Sequence, residues 1–364
     1  MKNKKLWFLL SLGCLLSGTF FVLAGTLLGG IPGFYLDRHG IHTSRDAANQ
    51  TMEVFRDTAE LDAFDRMELS IRYAEDVELI PSDRYAVEYR VSGISEKPVC
   101  RVEDGTLVFR ETPAGCSESR IWFLYAGSGY TRELQPGPYY VKIEYPAGQT
   151  FTDVIIDMET GNLKLPHLQA DTLELRNEYG DVSVDSYTGS AWTLHMSSGN
   201  LTTGTVSAEQ TRLESEYGDV DLESYTGNSL EIRMSSGDLS LGSVKAEQTE
   251  IQNEYGGVQI EQASGDRLSA DLSSGSFLAG SLDFPLLKVN NEYGTVRIRL
   301  PEELSEYEYR LMTEYGSILL DGKNVANHDE DENENECHYT SAGTNGRTVE
   351  ISCDSGEIMI DPVP

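Results

Sequence analysis

Hydrophobic and polar positions alternate in short runs along the second half of the chain. Val182 and Val184 belong to one such run, and Leu173 and Leu175 belong to the run before it. This two-residue periodicity is typical of β-strands that bury one face and expose the other. The runs are joined by turn residues with no room for a helix between them, so the pattern predicts an all-β body.

A glycine marks every unit of this pattern at a constant interval of 19 residues. The series is Gly161, Gly180, Gly199, Gly218, Gly237, Gly256, Gly275 and Gly294. It predicts a single-stack β-solenoid, a parallel β-helix-like fold whose 19-residue coils stack about 4.8 Å apart. A β-propeller is the rival, because two units would make a 38-residue blade. The solenoid is favoured because a four-stranded blade gives no reason for the finer period.

The units alternate between two kinds. Glu-Tyr-Gly precedes every second strand, and Ser-Ser-Gly stands at the equivalent positions in the units between, for example at 216–218 and 235–237. In a parallel stack, glutamates on every coil would lie about 4.8 Å apart and repel, and an intervening serine doubles that separation. Large and small residues therefore complement one another between neighbouring coils, as close packing requires.

The Glu-Tyr pairs supply the candidate binding residues. A functional interpretation makes them a linear surface for cations, basic peptides or sugars, whereas packing alone would make them a structural corner with solvated glutamates. The candidates are Glu178, Tyr179, Glu216, Tyr217, Glu254, Tyr255, Glu292 and Tyr293.

The amino-terminal segment predicts a membrane anchor. Lys2, Lys4 and Lys5 precede an apolar stretch over residues 6–31, which is long enough to cross a hydrocarbon core of about 30 Å. The basic flank predicts a single-pass protein with a cytoplasmic amino terminus and an extracellular carboxyl-terminal domain. The alternative is a cleaved signal peptide, with Val22 and Ala24 before the cut.

Cysteine usage agrees with an exported body. Cys14 lies within the apolar stretch, where a buried thiol is favoured over a lipoprotein site. The even number beyond it predicts disulfides, and of three connectivities the two local ones are favoured. The disulfide candidates are Cys100, Cys116, Cys337 and Cys353.

The sequence thus predicts four segments. Residues 1–36 form a cytoplasmic tip and transmembrane anchor, 37–60 a linker or short surface helix, and 61–160 an irregular β lead-in with an amino-terminal cap. In that cap, Asp104-Gly105 predicts a hairpin turn. Residues 161–364 form the β-solenoid, with an acidic insert at 324–337 and a carboxyl-terminal cap. The insert favours a solvated loop over a calcium site, because it lacks the spacing of calcium-binding loops.

The ordered combination of these features resembles a known family. Segments 64–71 and 77–82, the strand Ile143-Glu144-Tyr145-Pro146 and the reiterated Gly-[Asp/Asn]-[Val/Leu] units are similar to the putative-adhesin family, a bacterial domain of unknown function with β-strand repeats. The resemblance covers about residues 61–364. It implies an envelope-exposed β-repeat fold without established catalytic residues. The acidic insert and the cysteine pairs depart from the family, so they are not carried over.

Composition and the absence of known motifs further restrict the classes of function that the sequence allows. The 364 residues carry 60 Asp and Glu against 28 Lys and Arg, a net charge of −32, which disfavours nucleic acid as a partner. No motif of a hydrolase, a nucleotide-binding enzyme or a zinc protease occurs, and no cofactor is expected. Arg297 and Arg299 interrupt the acidic pattern and are interpreted as balancing charge.

The sequence therefore favours a non-enzymatic, membrane-anchored, adhesin-like surface module. Its candidate partners are the membrane, through one amino-terminal helix, and an envelope protein, a glycan or a cationic peptide. The alternatives are an acidic sensor or decoy for cationic envelope-active peptides, and a polysaccharide-active β-helix enzyme. The regularity of the coils argues against the enzyme, because a catalytic cluster should interrupt two or three adjacent coils.

Overall fold

A computed structural model describes residues 18–19, 34–37, 40–43, 54–92, 97–111, 137–328 and 336–364. The chain divides into two compact units. In the unit formed by Met1–Val54, Ser92–Lys97 and Thr112–Gly137, the described strands β1 (Phe34–Asp37) and β2 (Gly40–Thr43) form an antiparallel pair. The other unit comprises Phe55–Val91, Pro98–Glu111 and Pro138–Pro364, and it holds the repeats.

The strands are numbered in chain order. The first group is β3 (Val54–Glu60), β4 (Arg66–Ile71), β5 (Asp76–Ser82), β6 (Ala86–Ser92), β7 (Val99–Glu103), β8 (Thr106–Arg110), β9 (Tyr140–Pro146) and β10 (Thr150–Met158). The long strands are β11 (Asn162–Tyr179), β12 (Val182–Ser198), β13 (Leu201–Tyr217), β14 (Val220–Ser236) and β15 (Leu239–Tyr255).

Shorter strands and one 3-10 turn complete the chain. They are β16 (Val258–Ser264), β17 (Arg267–Ser274), β18 (Phe277–Ala279), β19 (Leu282–Asp283), β20 (Leu286–Tyr293), β21 (Val296–Leu300), the turn Leu304–Glu306, β22 (Glu308–Tyr315), β23 (Ile318–Leu320), β24 (Lys323–Asn324), β25 (Asn327–His328), β26 (Cys337–Ser341), β27 (Thr348–Ser355) and β28 (Ile358–Pro362).

The repeats stack as a parallel solenoid in the register that the sequence predicts. Leu163 of β11 lies beside Val182 of β12, and Val182 lies beside Leu201 of β13, each pair 19 residues apart. Stacking side by side in parallel confirms the solenoid and excludes the propeller, whose neighbouring strands would be antiparallel. Each turn of the solenoid is called a rung below.

Because successive side chains of a strand point to opposite faces, every second side chain lies inside the stack. Leu173, Leu175 and Asn177 of β11 are buried, and the residues between them are exposed. Trp192 of the next rung is 1% exposed and packs among the same inward positions. The core is therefore a continuous column of hydrophobic side chains from consecutive rungs, which is how a single 19-residue coil obtains enough buried surface.

Rung order departs from chain order at both ends. At the carboxyl end β27 lies between β20 and β22, so residues 348–355 occupy the rung between 286–293 and 308–315. At the amino end β4 lies between β10 and β8. The order of the rungs after Gly294 therefore does not follow the order of the sequence.

The predicted segment boundaries change with these rungs. Strands β4, β5, β8, β9 and β10 are parallel rungs of the same stack, so the solenoid begins near Arg66 rather than at 161. Strand β3 pairs with β6, which contradicts a linker or helix over the whole of 37–60. Antiparallel pairs at the ends, β7 with β8 and β26 with β22, cover edges that could otherwise recruit another chain.

The disulfide prediction is wrong for the carboxyl-terminal pair. Cys337 and Cys353 both lie beside Thr313, but on opposite sides of β22. Two strand spacings of about 4.8 Å separate them, beyond the Cα distance that a disulfide spans. Cys100 has a free thiol, and Cys116 lies outside the described residues.

Other predictions also lie outside the described residues. These are the anchor over 6–31 apart from 18–19, the cleavage alternative at Val22 and Ala24, Cys14, and residues 329–335 of the acidic insert. Within the part of the chain that the structure describes, no helix has the length and apolar character needed to cross a bilayer. The flanks of the acidic insert, β25 and β26, pair antiparallel as a hairpin.

Candidate functional site

One edge of the solenoid carries a row of exposed tyrosines, which we call the tyrosine edge. Its members are Tyr179, Tyr217, Tyr255, Tyr293 and Tyr315, with exposed fractions of 61, 62, 62, 61 and 60%. A serine lies beside each tyrosine on the adjacent rung, for example Ser198 between Tyr179 and Tyr217. Successive tyrosines are therefore two rungs apart, about 9.6 Å along the stack.

The corner glycine fixes where each tyrosine lies. Gly218, which follows Tyr217, has a φ of +124°, a conformation that is essentially restricted to glycine. An added Cβ there would fall far inside van der Waals contact with the carbonyl oxygen of Gly199 on the rung before. The amide of Gly199 donates to the carbonyl of Tyr217 at 3.1 Å. The backbone is thus bent at the same point on every rung, and the tyrosine is held at the bend.

A second ladder locks the residue after each glycine. The amide of Asn200 donates to Asp181 Oδ1 at 2.8 Å, and the amide of Asp219 donates to Asn200 Oδ1 at 2.9 Å. The series continues through Asp238, which accepts from the Gly257 amide at 2.7 Å. This is the physical reason for the repeated Gly-[Asp/Asn]-[Val/Leu] pattern, because a short side-chain carbonyl or carboxylate must reach the next rung.

The interior of the bend is closed by asparagines. Asn177, Asn253 and Asn291 are buried on the tyrosine rungs. Asn253 Nδ2 donates to the carbonyl of Gly237 at 3.1 Å, and Asn291 Nδ2 donates to that of Gly275 at 3.0 Å. Carbonyl groups that the bend removes from the strand ladder are thereby satisfied inside the core.

Strand β27, inserted between β20 and β22, continues the alternation of tyrosine and serine at the carboxyl end of the stack. In spatial order Tyr293 is followed by Ser355 and then by Tyr315. Sequence order would instead place the rungs of Tyr293 and Tyr315 next to each other. Tyr315 was absent from the predicted site, although its Glu-Tyr-Gly signal at 314–316 is visible in the sequence. The structure adds it as the fifth member of the row.

The other tyrosines of the repeats are in a different environment. Tyr187 is fully buried, and its hydroxyl lies 3.0 Å from the carbonyl oxygen of Ala170 and 2.7 Å from that of Ala191. Burial raises the pKa of Tyr187 well above its ordinary value. Tyr225 has the same arrangement two rungs later. Buried tyrosines thus serve the core, whereas the tyrosine edge contributes aromatic surface to the solvent.

A glutamate accompanies each tyrosine of the row. Glu178, Glu216, Glu254 and Glu292 are exposed at the positions directly before the tyrosines, and Glu314 extends the series. The structure therefore brings all the predicted Glu-Tyr residues together on one edge. One ring and one carboxylate every 9.6 Å suit a long ligand better than a small molecule.

The exposed face of β12–β15 carries a network of opposite charges. Arg212 donates to Glu214 Oε1 from Nε at 2.9 Å and from its terminal nitrogen at 2.6 Å, and Arg212 holds the pKa of the Glu214 carboxyl below its usual range. His195 lies 2.9 Å from the same carboxylate. Arg233 pairs with Glu231 on its own strand. These groups satisfy one another both within a strand and between rungs, which is a structural role.

Arg297 has a similar role. Its guanidinium lies 3.1 Å from Asp361 on the inserted strand β28, as the interpretation of balancing charge expects. Within the described residues, no group of three or more His, Cys, Asp or Glu side chains is arranged to hold a metal ion.

Solved structures of low identity resemble the chain. A "putative adhesin" from Parabacteroides merdae is 11% identical with a TM-score of 0.42, covering 68% of this chain and 96% of its own. A "putative lipid binding protein" from Parabacteroides distasonis is 12% identical with a TM-score of 0.39, covering 86% and 97%. A "putative cell adhesion protein" from Clostridium sporogenes is 9% identical with a TM-score of 0.19, covering 85% and 99%.

No curated protein matches the chain. The model of one family matches residues 64–243 and 230–361, which together include nearly all of the described repeats. The chain belongs to the Toastrack DUF4097 family.

Proposed function

We propose that this protein is a membrane-anchored, non-enzymatic interaction module that contacts its partner through the tyrosine edge. The observation that carries the proposal is the uniform exposure of five tyrosines, each about 60% accessible, in one row. Exposed aromatic rings are expensive to leave in water and are enriched where proteins bind one another. Repetition along the stack from Tyr179 to Tyr315 indicates one extended contact rather than a single pocket.

The proposal places the tyrosine edge outside the cell. The apolar stretch over 6–31 behind Lys2, Lys4 and Lys5 supports one membrane-spanning helix with its amino terminus in the cytoplasm. The solenoid then lies on the extracellular side of the cell membrane, where envelope proteins, glycans and cationic peptides are the available partners. An extracytoplasmic protease-accessibility assay on intact cells tests this orientation.

Binding of the full-length chain to envelope polymers, envelope proteins and basic peptides tests the contact surface. The informative variant combines Tyr217→Ser with Tyr255→Ser, because serine occupies the equivalent position on every other rung. Leu278→Ser is the matched control, since Leu278 is 41% exposed and lies on β18, beyond the corner glycine Gly275 and outside the row of tyrosines. We expect the double variant to lose on the order of tenfold in affinity and the control to lose none.

An acidic decoy for cationic peptides is the second candidate, favoured by the net charge of −32. A decoy would bind any polycation in proportion to its charge and would release it at high salt. Binding that survives in the double tyrosine variant but disappears in salt would favour the decoy and contradict the tyrosine edge.

A further inference from the structure

The spacing of the tyrosine edge restricts the conformation of a ligand that follows it. Five tyrosines two rungs apart extend over about 38 Å, in a register unbroken from Tyr179 to Tyr315. A ligand that contacts every ring must repeat its own contacting groups every 9.4 to 9.8 Å, or roughly twice the strand separation. A small mismatch in one period would accumulate along the row.

Two common polypeptide conformations do not match this period. An extended strand presents one face every two residues, roughly 6.7 Å, and its residues three apart point to opposite faces. Two turns of an α-helix rise about 10.8 Å, so four such intervals would extend over about 43 Å and miss the last tyrosine by about 5 Å.

The polyproline II helix does match. It has three residues per turn and a rise of about 3.1 Å per residue, so one turn is about 9.3 Å and four turns are about 37 Å. The accumulated difference from the tyrosine row is about 1 Å over its whole length. Domains that recognise proline-rich segments also bind them on surfaces lined by aromatic side chains.

The charge beside the tyrosines adds a second requirement. Each tyrosine is preceded in sequence by an exposed glutamate, so the carboxylates of Glu178, Glu216, Glu254 and Glu292 repeat with the same period as the rings. A ligand with one Lys or Arg per polyproline turn would bring a positive charge to every glutamate. The small serines between the tyrosines leave room for a proline ring to lie between successive aromatic rings.

We propose that the tyrosine edge binds a proline-rich polypeptide in the polyproline II conformation that carries one basic residue per turn. This inference rests on the proposed function, because it names the partner of the same surface. Proline pre-forms the extended helix before binding, so little conformational entropy is lost when the segment docks.

A length series of synthetic peptides tests the proposal against the full-length chain. The probes are (Pro-Pro-Arg)n with n from one to four, and the matched controls are (Gly-Gly-Arg)n peptides of the same length and charge. We expect affinity to rise with n by at least about tenfold in total, and the longest proline peptide to bind at least about tenfold more tightly than its glycine control.

Variants show whether the rings make the contact. Tyr217→Ser with Tyr255→Ser should weaken binding of the longest peptide by about tenfold or more, whereas Tyr217→Phe with Tyr255→Phe, which keeps both rings, should retain most of it. Leu278→Ser should bind as the wild type does. Circular dichroism of each variant verifies that the stack is folded.

Four results would overturn the proposal. Equal affinity for the proline and glycine peptides would mean that charge alone drives binding. Unchanged affinity in the double serine variant would place the contact elsewhere. Tyrosine-dependent binding of an envelope glycan, without binding of any proline peptide, would overturn this inference and leave the proposed function intact. If no ligand bound in a tyrosine-dependent way, both this inference and the proposed function would be overturned.

Discussion

The adjacent glycines Gly256 and Gly257 offer the sharpest test of the corner that positions the tyrosine edge. Gly256 has a φ of +133°, and a Cβ added there would collide with the backbone carbonyl of Gly237 on the preceding rung. A Cβ added to Gly257 would lie 3.5 Å from Asp238 Oδ1 and 3.7 Å from the carbonyl of Ser276, which are ordinary contacts. One residue along the chain thus separates a forbidden substitution from a permitted one.

The cost of Gly256→Ala follows from these contacts. A non-glycine residue in this backbone region costs about 1–3 kcal/mol. Relieving the collision also disturbs two bonds, from the Gly256 amide to Ser274 and from the Gly237 amide to Tyr255, both 2.9 Å long. Each contributes about 1 kcal/mol, so the expected loss in free energy of unfolding is about 3–5 kcal/mol. Gly257→Ala should be neutral, or stabilising by up to about 1 kcal/mol, through the unfolded chain.

Urea-induced unfolding of the full-length chain, followed by far-ultraviolet circular dichroism, measures both variants. The reasoning is refuted if the two substitutions have similar effects, or if Gly256→Ala is within about 1 kcal/mol of the wild type. A large loss at Gly257 alone would contradict the assignment of the bend to Gly256, because only ordinary contacts surround a Cβ at position 257.

Three further predictions concern the ladder at Gly257, the buried Tyr145 and the charge network at Glu214. Gly257→Asn should raise the free energy of unfolding by about 1 kcal/mol, because it extends the ladder beyond Asp238 and lowers the entropy of the unfolded chain; urea titration measures it. Burial raises the pKa of Tyr145 to about 12, so the folded state keeps this proton to higher pH than the unfolded state, and stability should fall as the pH rises from about 10 through 12. Tyr145→Phe should flatten that dependence in alkaline unfolding curves. Glu214→Gln should lower the free energy of unfolding by no more than about 1 kcal/mol at neutral pH. This difference between variant and wild type should vanish as the pH falls through the lowered pKa of Glu214, and urea titrations across acidic pH measure it.

The repetitive part of the fold could be predicted from the sequence because each rung repeats one physical requirement. The bend of Gly218 needs a residue without a Cβ, the position after it needs a short polar side chain, and the flanking strands need alternating burial. These requirements recur at every rung, so they appear as a period of 19 residues. The same argument predicted that the Glu-Tyr residues share one edge.

The ends of the stack could not be predicted in the same way. Residues 348–355 fill a rung between two segments that precede them in the chain, and no local pattern records which neighbour a strand will choose. A spacing of 16 residues between Cys337 and Cys353 likewise says nothing of the strand that separates them. Both arrangements result from long-range pairing, whose energy depends on the complete stack.

Paired cysteine substitutions measure the rung order, on which the regular tyrosine edge depends. Tyr293→Cys with Ser355→Cys places two thiols on adjacent rungs about 4.8 Å apart between Cα atoms, within disulfide range, whereas Tyr293→Cys with Tyr315→Cys places them about 9.6 Å apart. After mild oxidation of the full-length chain, peptide mapping by mass spectrometry should find the first cross-link and not the second. A cross-link between positions 293 and 315, with none between 293 and 355, would put two tyrosines on neighbouring rungs and contradict the account.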